Sequence, residues 1–324
     1  MARFLRFMLI HPMRNLTMAE WYTNQLDITG KSVCIDVMQQ WVCGEETPRY
    51  RQAVQQSLRL FLAGCAGILK PTKPQTYAPY PALVCGTAAP TAQNLAFEQW
   101  LKLLQDNVPL NSDNIKRTDN LYRQSCLSLL RWESVPAPAR DIITRLLTRQ
   151  YTDWFGMVGW SETIDIGACW DKLNTYPGSA QPCDMLMIMP TRLATEINGN
   201  SGLLKGIATP AQFYDAQYGM EWPLGHHVRW ERRHVSSLTV RFDSPWAPPS
   251  AELMGELSSV FDCEIRHGYS EPSGSLKGYD CYDQGEHVDS GNGLSGRENR
   301  PALYLVNDDK RAVNLPVPAI AVGQ

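Results

Sequence analysis

An α+β fold is predicted for this chain, and three observations predict it. Residues 226–287 read as two strands, a helix and a further strand hairpin, with turn residues between them. Residues 21–41 read as one more strand followed by a helix. Between these blocks, residues 44–225 carry mostly helical periodicity. The two end blocks together give the order βαββαβ, the ferredoxin-like or split-βαβ arrangement of an antiparallel sheet. The middle is then a large, mainly α-helical insertion.

Each element has a local cause. In 21–29, Leu26 and Ile28 share one parity, and Gly30 stops the strand. The Ser32 hydroxyl is placed to cap the next helix, whose apolar face is read as Val33, Val37, Met38 and Trp41. Within the insertion, 49–69 has Val54, Leu58, Phe61, Leu62 and Cys65 on one face. Residues 71–90 are proline-rich and read as loop. Residues 94–104 and 113–130 read as helices, the second with Ile115, Leu121, Leu127 and Leu130 inward. Pro136 and Pro138 open another helix, with Ile142, Ile143, Leu146 and Leu147 apolar, and 162–173 a short one. The run 185–189 fits a buried strand or a buried helical turn equally well. Short helices and glycine-rich loops are read in 191–225.

In the closing block, Val228, Trp230 and Arg232 alternate with His227, Arg229 and Glu231. Leu238, Val240 and Phe242 alternate with Thr239, Arg241 and Asp243. A period of two sends such sets to opposite sheet faces, and a turn at Val235-Ser236-Ser237 makes the pair a hairpin. Pro245, Pro248 and Pro249 end the second strand, and the last two suit a helix's first turn. Leu253, Met254, Leu257, Val260 and Phe261 form that helix's apolar stripe. Cys263, Ile265, His267 and Tyr269 alternate as the next strand, and residues 279–283 form its partner.

Three strings carry a family resemblance: Trp21-Tyr22-Thr23-Asn24-Gln25-Leu26-Asp27-Ile28-Thr29-Gly30, Phe242-Asp243-Ser244-Pro245-Trp246-Ala247-Pro248-Pro249, and Tyr269-Ser270-Glu271-Pro272. On these the chain resembles the YubB ferredoxin-like proteins of conjugative plasmids and phages, over residues 18 to about 290. The resemblance implies the fold and a mobile-element setting, and it implies no reaction. Many members carry a Trp-Gly-Thr-Lys-Trp string before the second strand; here only a divergent counterpart stands between Trp154 and Trp170.

The domain organisation follows: 18–43 with 226–287 as a discontinuous sheet domain, 44–225 as the α-rich insertion, 1–17 as a disordered extension or mis-assigned start, and 288–324 as a disordered tail. Nine cysteines scattered through a chain of 324 residues fit reduced thiols in a cytoplasmic protein rather than a disulfide scaffold. No apolar run reaches the roughly 20 residues that span a bilayer, so no membrane partner is expected. The partner is read as a host or plasmid protein or nucleic acid, the latter possible but not favoured by a net charge of −3, which gives no bulk attraction to phosphate.

No motif fixes a chemistry, and no cofactor, metal or catalytic residue is assigned. Gly291-Asn292-Gly293-Leu294-Ser295-Gly296 matches a dinucleotide fingerprint but lacks the strand and helix that would give it meaning. Cys263, His267, Cys281 and His287 suggest a zinc set, but Cys263 and His267 share a face and lie about 13 Å apart along a strand, too far to ligate one ion. The candidate binding surface is Arg229, Trp230, Arg241, Arg266, Tyr269 and Glu271. The favoured reading is non-catalytic binding by an accessory protein of a plasmid or phage. The alternative is an enzyme using His227, Asp243 and Glu271 as a histidine–carboxylate site. The 242–249 string is expected to be a structural corner, with Phe242 and Trp246 buried and Asp243 bracing the turn.

Overall fold

The computed structural model describes residues 20–74, 86–156, 164–274 and 277–292. The expectations for 1–17, for most of the tail and for the core of the proline-rich loop lie outside the described residues.

The six strands are β1 (Trp21–Gly30), β2 (His226–His234), β3 (Ser237–Pro245), β4 (Cys263–Ser270), β5 (Lys277–Asp283) and β6 (Glu286–Asn292). They form one sheet in the order β2-β3-β1-β4-β5-β6, with every neighbouring pair antiparallel. The first four strands have the ferredoxin-like order, and β5 and β6 extend it as a hairpin beyond β4. β6 overturns part of the tail expectation: residues 288–292 complete a ladder on β5, where main-chain pairing outweighs their polar composition.

Helices α1 (Ser32–Cys43) and α9 (Ala251–Val260) cover one face of the sheet. Leu26 and Ile28, Leu238, Val240 and Phe242, and Cys263 and Ile265 point into that layer and are buried. The α1 face differs from the expected one: Val33 and Val37 are exposed, and Ile35, Met38, Trp41 and Val42 are buried. Both stripes obey the helical period, and the sheet selects the one that contains Ile35. Ser32 lies inside the first turn, behind Lys31 at the cap position with no side-chain bond. In α9 the cap is Ser250, whose hydroxyl accepts from the Leu253 N–H at 3.2 Å, so Pro248 and Pro249 precede the helix. Val260 is exposed, and Phe261 just beyond the helix reaches the core instead.

The insertion contains α2 (Arg49–Cys65), α3 (Ala92–Gln105), α4 (Ser112–Gln124), α5 (Ala137–Phe155), α6 (Ile166–Lys172), α7 (Leu193–Asn198) and α8 (Pro210–Tyr218). They bury a second core built on Leu58, Phe61, Phe97, Trp100, Ile143 and Trp170. α4 is shorter than expected, because Cys126 takes a left-handed conformation (φ 58°) and Leu127–Leu129 continues only as a 3-10 turn. The run 185–189 opens as a 3-10 turn, Met185–Met187.

The sheet core also recruits residues from within 44–225: Cys183, Met185, Ile188, Tyr218 and Met220 pack with Trp41 and Val240. Asp184 anchors this seam. Its backbone carbonyl accepts from Trp41 Nε1 of α1 at 2.9 Å. Its fully buried carboxylate accepts from Tyr50 Oη at 2.8 Å and pairs with Arg51 of α2 at 2.7 Å. Burial pushes the Asp184 carboxyl above the usual carboxylate range, with the Arg51 charge opposing the shift.

A candidate docking surface on the open sheet face

The side chains that point away from α1 and α9 form a face that no other described element covers. Register sorts them into rows. One row runs Glu231, Thr239, Asp27, Arg266, Cys281 and Asp289 across the six strands. The next runs Arg229, Arg241, Gln25, Gly268, Tyr279 and Gly291. A third runs His226, Asp243, Thr23, Ser270 and Lys277. The β2 members do not keep strict alternation, because a register shift falls between His226 and Arg229. It places His227 in the left-handed region at φ 51°, which a non-glycine residue adopts at a cost.

Hydrogen bonds knit this face. Arg241 Nε donates to Gln25 Oε1 at 2.9 Å, and Gln25 Nε2 donates to Asp27 Oδ2 at 2.8 Å. Thr239 donates to the other Asp27 oxygen at 2.9 Å. The Arg266 guanidinium sits 4.3 Å from the centre of the Tyr279 ring. That ring lies against Gly291, where an added Cβ would stand 2.5 Å from Cε1. Glycine is required there because the aromatic ring occupies the space of a side chain.

At one end of the face, His227 Nδ1 and Asp243 Oδ2 are 2.9 Å apart, and the Thr23 hydroxyl reaches Asp243 Oδ1 at 3.4 Å. Trp21 meets the His226 ring edge-on at 4.9 Å, and Trp222 stands 6.2 Å from it. Burial lowers the His226 pKa; neighbouring His227 adds to the effect and Asp243 opposes it.

Of the six surface residues expected from the sequence, Arg229, Arg241 and Arg266 share the open face. Trp230 pairs with Val240 and points to the helix side, where it is exposed at the sheet edge. Tyr269 follows the parity of Ile265 to the helix side, where its ring lies over Gly278. Burial raises the pKa of helix-side Tyr22 and the nearby Glu271 charge adds to the shift, which puts Glu271 on that side as well. The expected catalytic trio is divided likewise: His227 and Asp243 meet, and Glu271 lies on the opposite face of the sheet. Asp243 does not brace the turn. That task falls to Ser244, whose buried hydroxyl donates to the Ala247 carbonyl at 2.6 Å. Trp246 is 41% exposed at φ 69°, against the expectation of burial.

Gln25, Asp27, Thr239 and Tyr279 were missed by sequence reasoning. Their alternation in β1, β3 and β5 was readable; which of them stand side by side depends on register. Cys281 lies on the open face, whereas Cys263 and His267 point to the helix side, so these three do not converge.

The molecule is an α+β protein with a ferredoxin-like sheet and a helical lobe inserted after its first helix. The chain belongs to the family described as "Protein of unknown function (DUF1281)", whose model matches residues 47–222. A second model, "Ferredoxin-like domain in Api92-like protein", matches residues 225–307. The crystal structure of Api92 from Yersinia pseudotuberculosis is similar, with a TM-score of 0.83 and 56% identity, covering 86% of this chain and 99% of that one. YubA of Escherichia coli (strain K12) is 34% identical over 167 residues, 51% of this chain and 98% of that protein. YubB of the same strain is 36% identical over 109 residues, 33% of this chain and 75% of that protein.

Proposed function

We propose that this chain is a non-catalytic binding protein whose open sheet face is its docking surface. One observation carries the reading: Arg241 and Arg266 are held on an uncovered face by Gln25 and by the Tyr279 ring. Side chains fixed before binding lose less conformational freedom on binding. The face also carries Asp27, Asp243, Glu264, Asp283 and Asp289. This mixture of signs suits a protein partner better than a phosphate backbone, which demands net positive charge. With the resemblance noted in the sequence, the reading extends to a cytoplasmic accessory protein of a plasmid or phage that engages a host or plasmid protein. No helix among the described residues is long and apolar enough to cross a membrane.

The test is affinity capture from a plasmid-bearing host with the wild-type chain and with the R241E/R266E variant, each with and without nuclease. A protein captured by the wild type, lost in the variant and indifferent to nuclease supports the reading. Equal capture by both chains refutes it.

A second reading is favoured by the His227–Asp243 pair, in which a carboxylate could orient an imidazole as a general base. The Thr23 hydroxyl bonds the carboxylate rather than the imidazole, so this hydroxyl is not placed where the base would act. A reaction abolished by D243N in a chain of unchanged stability would put this reading first.

A further inference from the structure

We infer that the open face is complementary to itself and that a second copy of this chain occupies it. The inference rests on the reading of that face as a docking surface and names an occupant for it.

A two-fold axis parallel to the strands, in the plane between two facing sheets, exchanges the two halves of the strand order β2-β3-β1-β4-β5-β6. It lays β3 of one copy over β5 of the other and β1 over β4. Such an interface is isologous, so every cross-pair occurs twice. With the rows kept in register, Asp243 on β3 meets the partner's Lys277 on β5, since both belong to the row through Thr23 and Ser270. Asp27 on β1 meets the partner's Arg266 on β4, since those positions share the row through Thr239 and Cys281. Arg241 on β3 comes over the partner's Tyr279 on β5, whose ring already carries the Arg266 guanidinium. Two opposite-charge pairs, each doubled, therefore fall in place from one operator. The opposing contacts are Arg241 beside the Arg266 guanidinium on the partner's Tyr279, and Glu231 against Asp289 at the outer strands β2 and β6, at the rim where solvent screens it.

The area is sufficient for a weak association. Six strands, seven to ten residues long, present roughly 600 Å² per copy at ~4.8 Å between strands and ~3.3 Å per residue, near the lower limit of specific interfaces. The face is polar, so the dimer is concentration-dependent and salt-sensitive.

The deciding experiment is sedimentation velocity at about 100 µM protein in about 20 mM salt, where screening acts only beyond roughly 20 Å. The wild type is expected to dimerise and to dissociate as salt is raised. D243K and K277E each place like charges at both copies of one contact, and each alone is expected to weaken the dimer at least about tenfold. An equal mixture of D243K and K277E chains restores both pairs in the heterodimer and is expected to regain the wild-type sedimentation coefficient. That recovery also shows that both variants are folded. A wild type that stays monomeric, or a dimer unaffected by either variant, overturns the inference. The docking reading stands or falls separately on the capture experiment: a monomeric chain that loses a captured protein on R241E/R266E substitution keeps the docking surface and loses only the self-association.

Discussion

His267 Nε2 lies 3.0 Å from Asn24 Oδ1, and the pair begins a hydrogen-bond chain that crosses three strands. Asn24 Nδ2 donates to Ser244 Oγ at 2.8 Å, and Ser244 in turn donates to the Ala247 carbonyl at 2.6 Å. Asn24, Ser244 and His267 are all buried. The chain ties β4 through β1 to β3 and fixes the loop that follows it. In this arrangement Nε2 carries the proton, and His267 serves as a neutral donor.

That relationship predicts a pH dependence. Burial pushes the His267 pKa down to about 4, with Asp280 opposing the shift. The unfolded chain therefore binds a proton near pH 6.5 that the folded chain refuses until about pH 4. The stabilisation is complete above the unfolded value and is lost as pH falls through this window, by about 3 kcal/mol at most. Urea unfolding from pH 7 to pH 4.5 should show the loss in the wild type. H267Q, whose amide can still donate to Asn24, should show a smaller loss; equal slopes would remove His267 as the cause.

Asp184 joins the two lobes through Trp41, Tyr50 and Arg51. D184A leaves the Arg51 guanidinium without its carboxylate and the Tyr50 hydroxyl without its acceptor. It should destabilise by about 3–5 kcal/mol, as removal of one member of a buried ion pair does. D184N keeps one acceptor oxygen for Tyr50 and should cost less. Denaturant midpoints for the two variants decide the order.

Phe242 and Trp246 should differ sharply although they share one string. Phe242 is 1% exposed, so F242A should cost about 3–5 kcal/mol. Trp246 keeps 41% of its surface in solvent, so W246A should cost less than F242A. Its φ of 69° also favours glycine, so W246G should be at least as stable as W246A despite glycine's greater unfolded-state entropy. Thermal unfolding of the three variants tests the ordering, and a W246A loss equal to that of F242A would contradict it.

Gly255 lies within α9, where alanine normally gains about 1 kcal/mol in helix propensity. Here an added Cβ would stand 2.9 Å from the Gly285 carbonyl oxygen in the β5–β6 turn. Backbone cannot move aside as a side-chain tip can, so G255A should be net destabilising by about 1–3 kcal/mol. A G255A chain more stable than wild type would show that the helix and the hairpin are not in close contact.

What the sequence determined by itself was the kind and order of the elements. The alternation of Leu238, Val240 and Phe242 with Thr239, Arg241 and Asp243 is local, and that alternation alone assigns both faces of β3. The tertiary structure decided what local periodicity does not contain. It chose Ile35 over Val33 for the buried side of α1, because packing on the sheet discriminates between two stripes of similar hydrophobicity. It left Trp246 exposed, because hydrophobicity records a preference for burial while a left-handed backbone fixes where the side chain points. It also set the rows of the open face, separating Arg241 from Tyr269 and Glu271. Those rows depend on the ladder between β1 and strands roughly 200 residues away in the chain and on the register shift between His226 and Arg229 in β2. Register is a property of paired strands, and no single strand's sequence carries it.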